Sequence, residues 1–195
     1  MAEPSWVAEN ECDRLLEENW LLRLRRERFR SRATGRVHDY YVVHLPDVVN
    51  VIALTTDDRV ILVRQFRAGS RRDSLETPGG LLDPGEDPLT AGARELREET
   101  GYAGDPPRLL TTVWSNPSIL TSRATTILIT SARRIAAPRL APGEELDVQL
   151  VPASSIPAML ADGRIDHVLA VCGLLWWLGR PSNQDAPPRA ERPGE

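Results

Sequence analysis

Residues 79–102 read GGLLDPGEDPLTAGARELREETGY, and the spacing of their acids decides the fold around them. Asp87 followed by Pro88 supplies an N-cap with proline at the first helical position, and Gly101 suits a left-handed cap at the other end, so the segment between them is a helix. On that helix Glu95 and Glu99 stand at i and i+4, projecting from one face, with Glu98 on the flank. Like charges at that spacing repel by a few tenths of a kcal/mol, and by more in a cleft, unless a cation lies between them. Carboxylate and carbonyl oxygens select hard divalent ions such as magnesium or manganese, whose shells are commonly completed by water and substrate phosphates. Upstream, Gly79 and Gly80 remove side chains where backbone can approach a ligand, and Glu86 lies on the loop feeding the helix. The pattern reads as a metal cradle built from a loop and a helix.

Around this helix the extended signals dominate. Residues 20–32, 39–45, 48–54, 60–65, 124–130 and 146–151 read as strands, and Thr55-Thr56-Asp57-Asp58 supplies a hairpin turn. A second helix is expected from Ser154 or Ser155 to Asp162-Gly163, with Pro157 in its first turn, and a third over residues 166–178. Strands that outnumber helices, with a helix between strand runs, predict an α/β (α+β) class with a mixed sheet packed on helices. Residues 1–19 carry no motif and are amphipathic enough for a short helix, residues 20–180 read as one domain, and the Pro-rich stretch 181–195 reads as a loose tail.

Composition narrows the chemistry. The chain has 195 residues, and its 24 basic and 28 acidic side chains give a net charge of −4; every basic residue is arginine. Without lysine, no phosphate-loop lysine, Schiff base or Ser-Lys pair can exist here. The acidic balance argues against a duplex-DNA partner. Two cysteines make no disulfide scaffold, and no apolar run approaches the roughly 18 residues of a membrane span, so a cytoplasmic protein without membrane or nucleic-acid partners is expected.

The segment matches, without a gap, the Nudix box: Gly80, five residues, Glu86, seven residues, then Arg94, Glu95, Leu96, Glu98, Glu99, Gly101 and Tyr102. Tyr102 stands where an aliphatic residue is usual. The chain thus resembles the Nudix hydrolases, which implies an α/β/α sandwich around a mixed central sheet and metal-dependent cleavage of a pyrophosphate. Further phrases, VNVIALTTDDRVILVRQFRAG at 49–69, LETPGG at 75–80, WSNPS at 114–118, GEELDVQLVP at 143–152 and DGRIDH at 162–167, resemble the ADP-ribose and nucleoside-diphosphate-sugar pyrophosphatase branch. That branch implies an N-terminal antiparallel strand region over about 20–46, a homodimer, and a nucleoside diphosphate-linked small molecule as substrate.

By the same resemblance, Glu95 and Glu99 are the chief ligands of Mg2+, with Mn2+ as substitute, Glu98 assists, and the Gly79 carbonyl and Glu144 complete the set. Arg94 orients the glutamates, while Gly80, Glu86 and Gly101 shape the box. The general base some relatives use falls near Pro142, so Glu144, Glu145 or a metal-held water takes that part. Arg67 contacts the diphosphate and Glu76 a ribose or a metal-bound water, or the two belong to a structural salt bridge. Arg32, or Arg30, reaches the diphosphate of the partner subunit's substrate, or belongs to a solvated strand face; Trp114 stacks on a base or walls the pocket, or packs in the core. Trp176 and Trp177 are read as packing or dimer contacts, and His38, His44, His167 and Cys172 are assigned no chemistry. Two other functions fit the same fold: a nucleotide-sugar sensor that does not cleave, which usually lacks box glutamates this chain keeps, and a MutT-type nucleoside triphosphate pyrophosphohydrolase.

Overall fold

The computed structural model describes residues 3–180. The Pro-rich tail read over residues 181–195 lies outside the described residues. The described residues divide into two compact units, one made of residues 3–47 with 113–123 and the other of residues 48–112 with 124–180. The division falls inside the span 20–180 that reads as one domain from the sequence.

The first unit is the expected antiparallel strand region. It contains β1 (Trp6–Ala8), β2 (Arg14–Glu18), β3 (Arg23–Ser31) and β4 (Val37–His44). Central β3 pairs β4 along its length, from Arg23 opposite His44 to Arg30 opposite Val37, and takes β1 and β2 on its other edge. Two of its arginines, Arg26 and Arg28, reach Asp39 of β4 across the ladder. Arg28 lies directly opposite Asp39 and forks onto it at 2.7 and 3.3 Å, and His44 meets Glu27 at 2.6 Å. Trp6, Phe29, His38 and Tyr40 meet edge to face, with ring centroids 5.4–6.0 Å apart.

The helix expected within residues 1–19 does not form. Apart from one 3-10 turn at Asn10–Cys12, these residues make β1 and β2. A short polar segment has little intrinsic reason to stay helical, and the open edge of β3 offers it a full ladder of backbone partners.

The second unit is a sandwich. Its strands are β5 (Val48–Thr55), β6 (Arg59–Arg67), β7 (Arg72–Glu76), β8 (Gly79–Leu81), β9 (Tyr102–Ala103), β10 (Arg108–Trp114), whose last two residues belong to the first unit, β11 (Arg123–Arg134), whose first residue does, and β12 (Leu146–Pro152). Its helices are α1 (Pro88–Thr100), α2 (Ile156–Ala161) and α3 (Val168–Leu178). The sheet runs β10-β11-β5-β6-β12, with β7 and β8 on β6 and β5. It is mixed: β5 and β11 are parallel, and β12, β7 and β8 pair antiparallel with their neighbours.

The near-continuous apolar run of β5 reflects burial on both faces. Val49, Val51 and Ala53 join Ile61, Ile127 and Ile129 under Ala91 and Leu96 of α1. Ile52 points to the opposite layer, with Leu62, Leu128, Ile156, Met159, Ala170 and Leu174 of α2 and α3. The α/β/α layering and mixed sheet expected from the sequence are therefore present. Trp177 packs against the second cluster, whereas Trp176 is exposed. Among the described residues no helix is long and apolar enough to cross a membrane.

Candidate active site

Helix α1 starts where the Asp87 carboxylate accepts the Thr90 N–H at 3.0 Å, with Pro88 occupying the first turn. It stops at Gly101, whose φ of 75° is left-handed and whose N–H bonds to the Arg97 carbonyl. These caps fix the phase of the helix, and the phase points Glu95 and Glu99 toward β8. There a Cβ on Gly80 would lie 2.5 Å from Glu95 Oε1, so the space a side chain would fill holds the Glu95 carboxylate instead. A Cβ on Gly79 would meet the Val49 carbonyl at 2.1 Å, because β8 is pressed against β5. The Gly79 N–H donates to Glu99 Oε2 at 3.0 Å.

Arg94 gathers the box together. Its Nε and Nη2 donate to the two oxygens of Glu86 at 3.0 and 2.9 Å, while Nη1 reaches Glu95 Oε1 at 2.9 Å and Glu98 Oε2 at 3.1 Å. Glu86 Oε2 also accepts the Asp83 N–H at 3.2 Å, which ties the preceding loop to the helix. One guanidinium thus faces three carboxylates, and the cluster keeps an excess of negative charge.

That excess shows in the titration of the buried acids. Glu99 is only 8 % exposed, and burial, joined by the charges of Glu95 and Glu144, pushes its carboxyl up to about 8 against the opposing pull of the Gly79 amide and Arg67. Glu95 is raised as well, by burial first and by Glu98 and Glu144, with Arg94 opposing. Glu144 is held on its own loop, where its carboxylate accepts the Ala141 N–H at 2.8 Å beside the left-handed Gly143. Its charge reaches both Glu95 and Glu99.

Among the described residues no three His, Cys, Asp or Glu side chains already stand together as a ligand cluster. Arg94 draws Glu95 and Glu98 to itself, and the Gly79 amide holds Glu99. The donor chemistry nevertheless fits a hard divalent cation: oxygen donors in excess over their counter-charge, two of them desolvated, beside a glycine cradle.

Arg67, half-exposed, forks onto the buried Glu76. They lie on paired strands, Arg67 opposite Arg72 and Glu76 opposite Val63, and their side chains meet along the ladder, with Nε to Oε1 at 2.9 Å and Nη2 to Oε2 at 2.6 Å. Sequence reading offered this pairing as one of two alternatives. His167, to which it assigned no chemistry, has Nδ1 3.8 Å from Glu76 Oε2. Only the fold reveals this approach, because the two residues lie far apart along the chain.

Arg32 and Trp114 belong to the first unit. Arg32 pairs with Glu3 at 3.2 Å and donates to the Pro4 carbonyl, and Arg30 binds Glu9. Trp114 is exposed rather than packed in a core, with the Arg123 guanidinium 5.6 Å above its ring.

Comparison with known proteins adds a family. The family model described as NUDIX domain matches residues 44–171. A Mycobacterium tuberculosis protein named ADP-ribose pyrophosphatase is 30 % identical over 155 residues, covering 78 % of this chain and 74 % of that one. A Bacillus subtilis protein of the same name is 36 % identical over 83 residues, and there the match spans 43 % of this chain and only 45 % of the relative. The crystal structure of an ADP compounds hydrolase superposes with a TM-score of 0.78 at 21 % identity, covering 91 % of this chain and 95 % of that one, which shows a shared fold.

Proposed function

Because the chain belongs to the NUDIX domain family, we propose that it hydrolyses the pyrophosphate linkage of ADP-ribose or a related nucleoside diphosphate sugar, releasing a nucleoside monophosphate and a sugar phosphate. The observation that carries this reading is the convergence of Glu95 and Glu98 on Arg94, beside a buried Glu99, at the glycine cradle of β8. Relatives named for ADP-ribose support the substrate class.

In this reading Glu95, Glu98, Glu99, the Gly79 carbonyl and Glu144 hold Mg2+, or Mn2+ in its place. When bound, the cation supplies Lewis-acid polarisation of the diphosphate and lowers the pKa of a coordinated water. Arg94 keeps the carboxylates in register, since a planar fork clamped on Glu86 allows one orientation only. Arg67, fixed by Glu76, binds a diphosphate oxygen. The Glu144 carboxylate accepts the proton of the attacking water as its oxygen bonds to phosphorus and the bridging oxygen departs on the other phosphate. Glu144 is preferred to Glu145 because its charge is the one that bears on both Glu95 and Glu99.

A homodimer through the N-terminal strands belongs to the same proposal, supported by the exposed Tyr40 and Tyr41 of β4. Light scattering tests it. A cytoplasmic setting suits two free cysteines, Cys12 and Cys172.

The deciding experiment is phosphate release from a coupled phosphatase, with magnesium, across ADP-ribose, GDP-mannose, ADP-glucose, NADH, dinucleoside polyphosphates and 8-oxo-dGTP. Turnover of ADP-ribose or a nucleoside diphosphate sugar is expected. Turnover of 8-oxo-dGTP alone overturns the assignment.

A further inference from the structure

Between β7 and β8 the chain changes its neighbour in the sheet. β7 ends at Glu76 paired with β6, and β8 starts at Gly79 paired with β5, so the corner Thr77-Pro78 belongs to neither ladder. Both ends of that corner are parts of the site: Glu76 holds Arg67, and the Gly79 N–H donates to Glu99. Pro78 has no N–H to offer, and its carbonyl accepts the Val51 N–H at 2.8 Å. The other hold on the corner is the Thr77 side chain.

Thr77 is buried, and its hydroxyl donates to Asn50 Oδ1. Asn50 lies opposite Gly79 in the ladder and, by the alternation of β5, on the same face as Ile52, toward the layer that Leu62, Leu128 and Leu174 fill. Its Nδ2 donates to the Leu169 carbonyl at 3.0 Å and to Thr126 Oγ1 at 3.3 Å. A carbonyl oxygen only accepts, so the Leu169 contact turns the amide oxygen toward Thr77 and leaves the Thr77 hydroxyl as the donor. Gly173 makes room for this amide, because a Cβ there would come within 2.4 Å of Nδ2. A buried amide costs free energy unless its polar groups are paired, and an aliphatic side chain would fill the same place without that demand. The bonds that Asn50 makes instead run from the first turn of α3, next to His167, to the corner that leads into Gly79.

We infer that Asn50 and Thr77 are positioning residues of the cation site: their hydrogen bond holds the corner at 77–78 in place and so presents the Gly79 backbone to Glu99 and to the cation. This inference rests on the part of the proposed function that gives a divalent cation to the box glutamates, and it adds the buried support beneath them.

Thr77→Val keeps the shape of the side chain and removes the donor, whereas Thr77→Ser keeps the donor. The Mn2+ dissociation constant of each protein, without substrate, is read from the electron paramagnetic resonance of the free ion, and the magnesium needed for half-maximal turnover of ADP-ribose is measured beside it. In Thr77→Val both should rise about tenfold, the lower end of what losing a group that orients metal ligands costs, and in Thr77→Ser both should stay close to wild type. If Thr77 serves the fold alone, Thr77→Val lowers the urea midpoint while the folded protein binds Mn2+ as the wild type does, and the inference is overturned. An equal loss in Thr77→Ser traces the effect to the methyl group instead of the hydrogen bond and overturns it too. Should Thr77→Val fail to fold, Asn50→Leu combined with Thr77→Val takes its place, since replacing both partners by apolar groups leaves neither of them unpaired. Wild-type Mn2+ affinity in that double variant overturns the inference, and a loss of about tenfold supports it. If the wild-type protein cleaves no diphosphate, the activity reading fails, and the Mn2+ titration still decides the positioning role; if it binds no Mn2+, the positioning role is overturned with the cation site.

Discussion

Arg94 holds Glu86 in a two-pronged grip, Nε to Oε1 at 3.0 Å and Nη2 to Oε2 at 2.9 Å, while its third nitrogen spans Glu95 and Glu98. A loop and a helix are locked by one planar group. Lysine offers a single rotating ammonium and cannot make three directed bonds in that plane. Arg94→Lys should therefore retain the fold yet weaken metal binding and turnover by about 10–100-fold, the usual cost of losing a group that orients metal ligands. A titration of activity against magnesium concentration reads the shift directly, and an unchanged half-saturation point would contradict it.

Replacing a carboxylate proposed to bind the cation should cost more. Glu98→Gln and Glu99→Gln keep side-chain size, and the glutamine oxygen of the second can still accept the Gly79 N–H. Each is expected to lower kcat by more than about 100-fold, beyond what loss of an orienting group costs, with the circular dichroism spectrum unaltered. Wild-type turnover in both variants would remove the cation site from these positions.

Helix α1 was legible because its ends are marked by residues with a local mechanism: Asp87 and Pro88 at one cap, Gly101 at the other. β5, β6 and β11 were legible because burial on both faces leaves long apolar runs. β7, with the sequence RDSLE, and β8, a three-residue GGL, carry no alternation or β-branched run, and form because β6 and β5 present open edges to them. The same cause turned residues 6–18 from an expected helix into strands. At the site, the box glutamates could be read from helical spacing alone. The Arg67–Glu76 fork depends on the pairing of two strands, and the approach of His167 depends on where α3 begins, neither of which a one-dimensional pattern encodes.

The metal-free protein should lose stability as pH rises. The Glu99 carboxyl is raised from an ordinary 4.5 to about 8 in the fold, so between those values the folded state holds a proton that the unfolded chain has released. Stability from this group is complete below about 4.5, declines through the interval, and is gone above about 8. Thermal unfolding in EDTA from pH 5 to pH 9 should show the midpoint falling, and Glu99→Gln should flatten that slope. Magnesium, by neutralising the ionised carboxylate, should flatten it in the wild type. A midpoint that rises across this interval in EDTA would show that the desolvated carboxylate does not carry the effect.

Gly101 separates stability from chemistry. Its φ of 75° lies where only glycine is unstrained, and a Cβ there would come within 2.2 Å of the Ala136 carbonyl oxygen. Gly101→Ala must therefore bear left-handed strain of about 1–3 kcal/mol, and the backbone at Ala136 must also shift. That backbone is tied to Gly101 by the bonds that the Ile135 and Ala136 N–H groups donate to its carbonyl, so the strain reaches the end of α1 without touching a glutamate. Urea unfolding should show a midpoint lowered by at least that strain, while the magnesium dependence of the folded fraction stays close to wild type. Gly80→Ala should do the reverse: its Cβ would displace the Glu95 carboxylate, which has side-chain freedom to move aside, so the midpoint should change little and the magnesium requirement should rise.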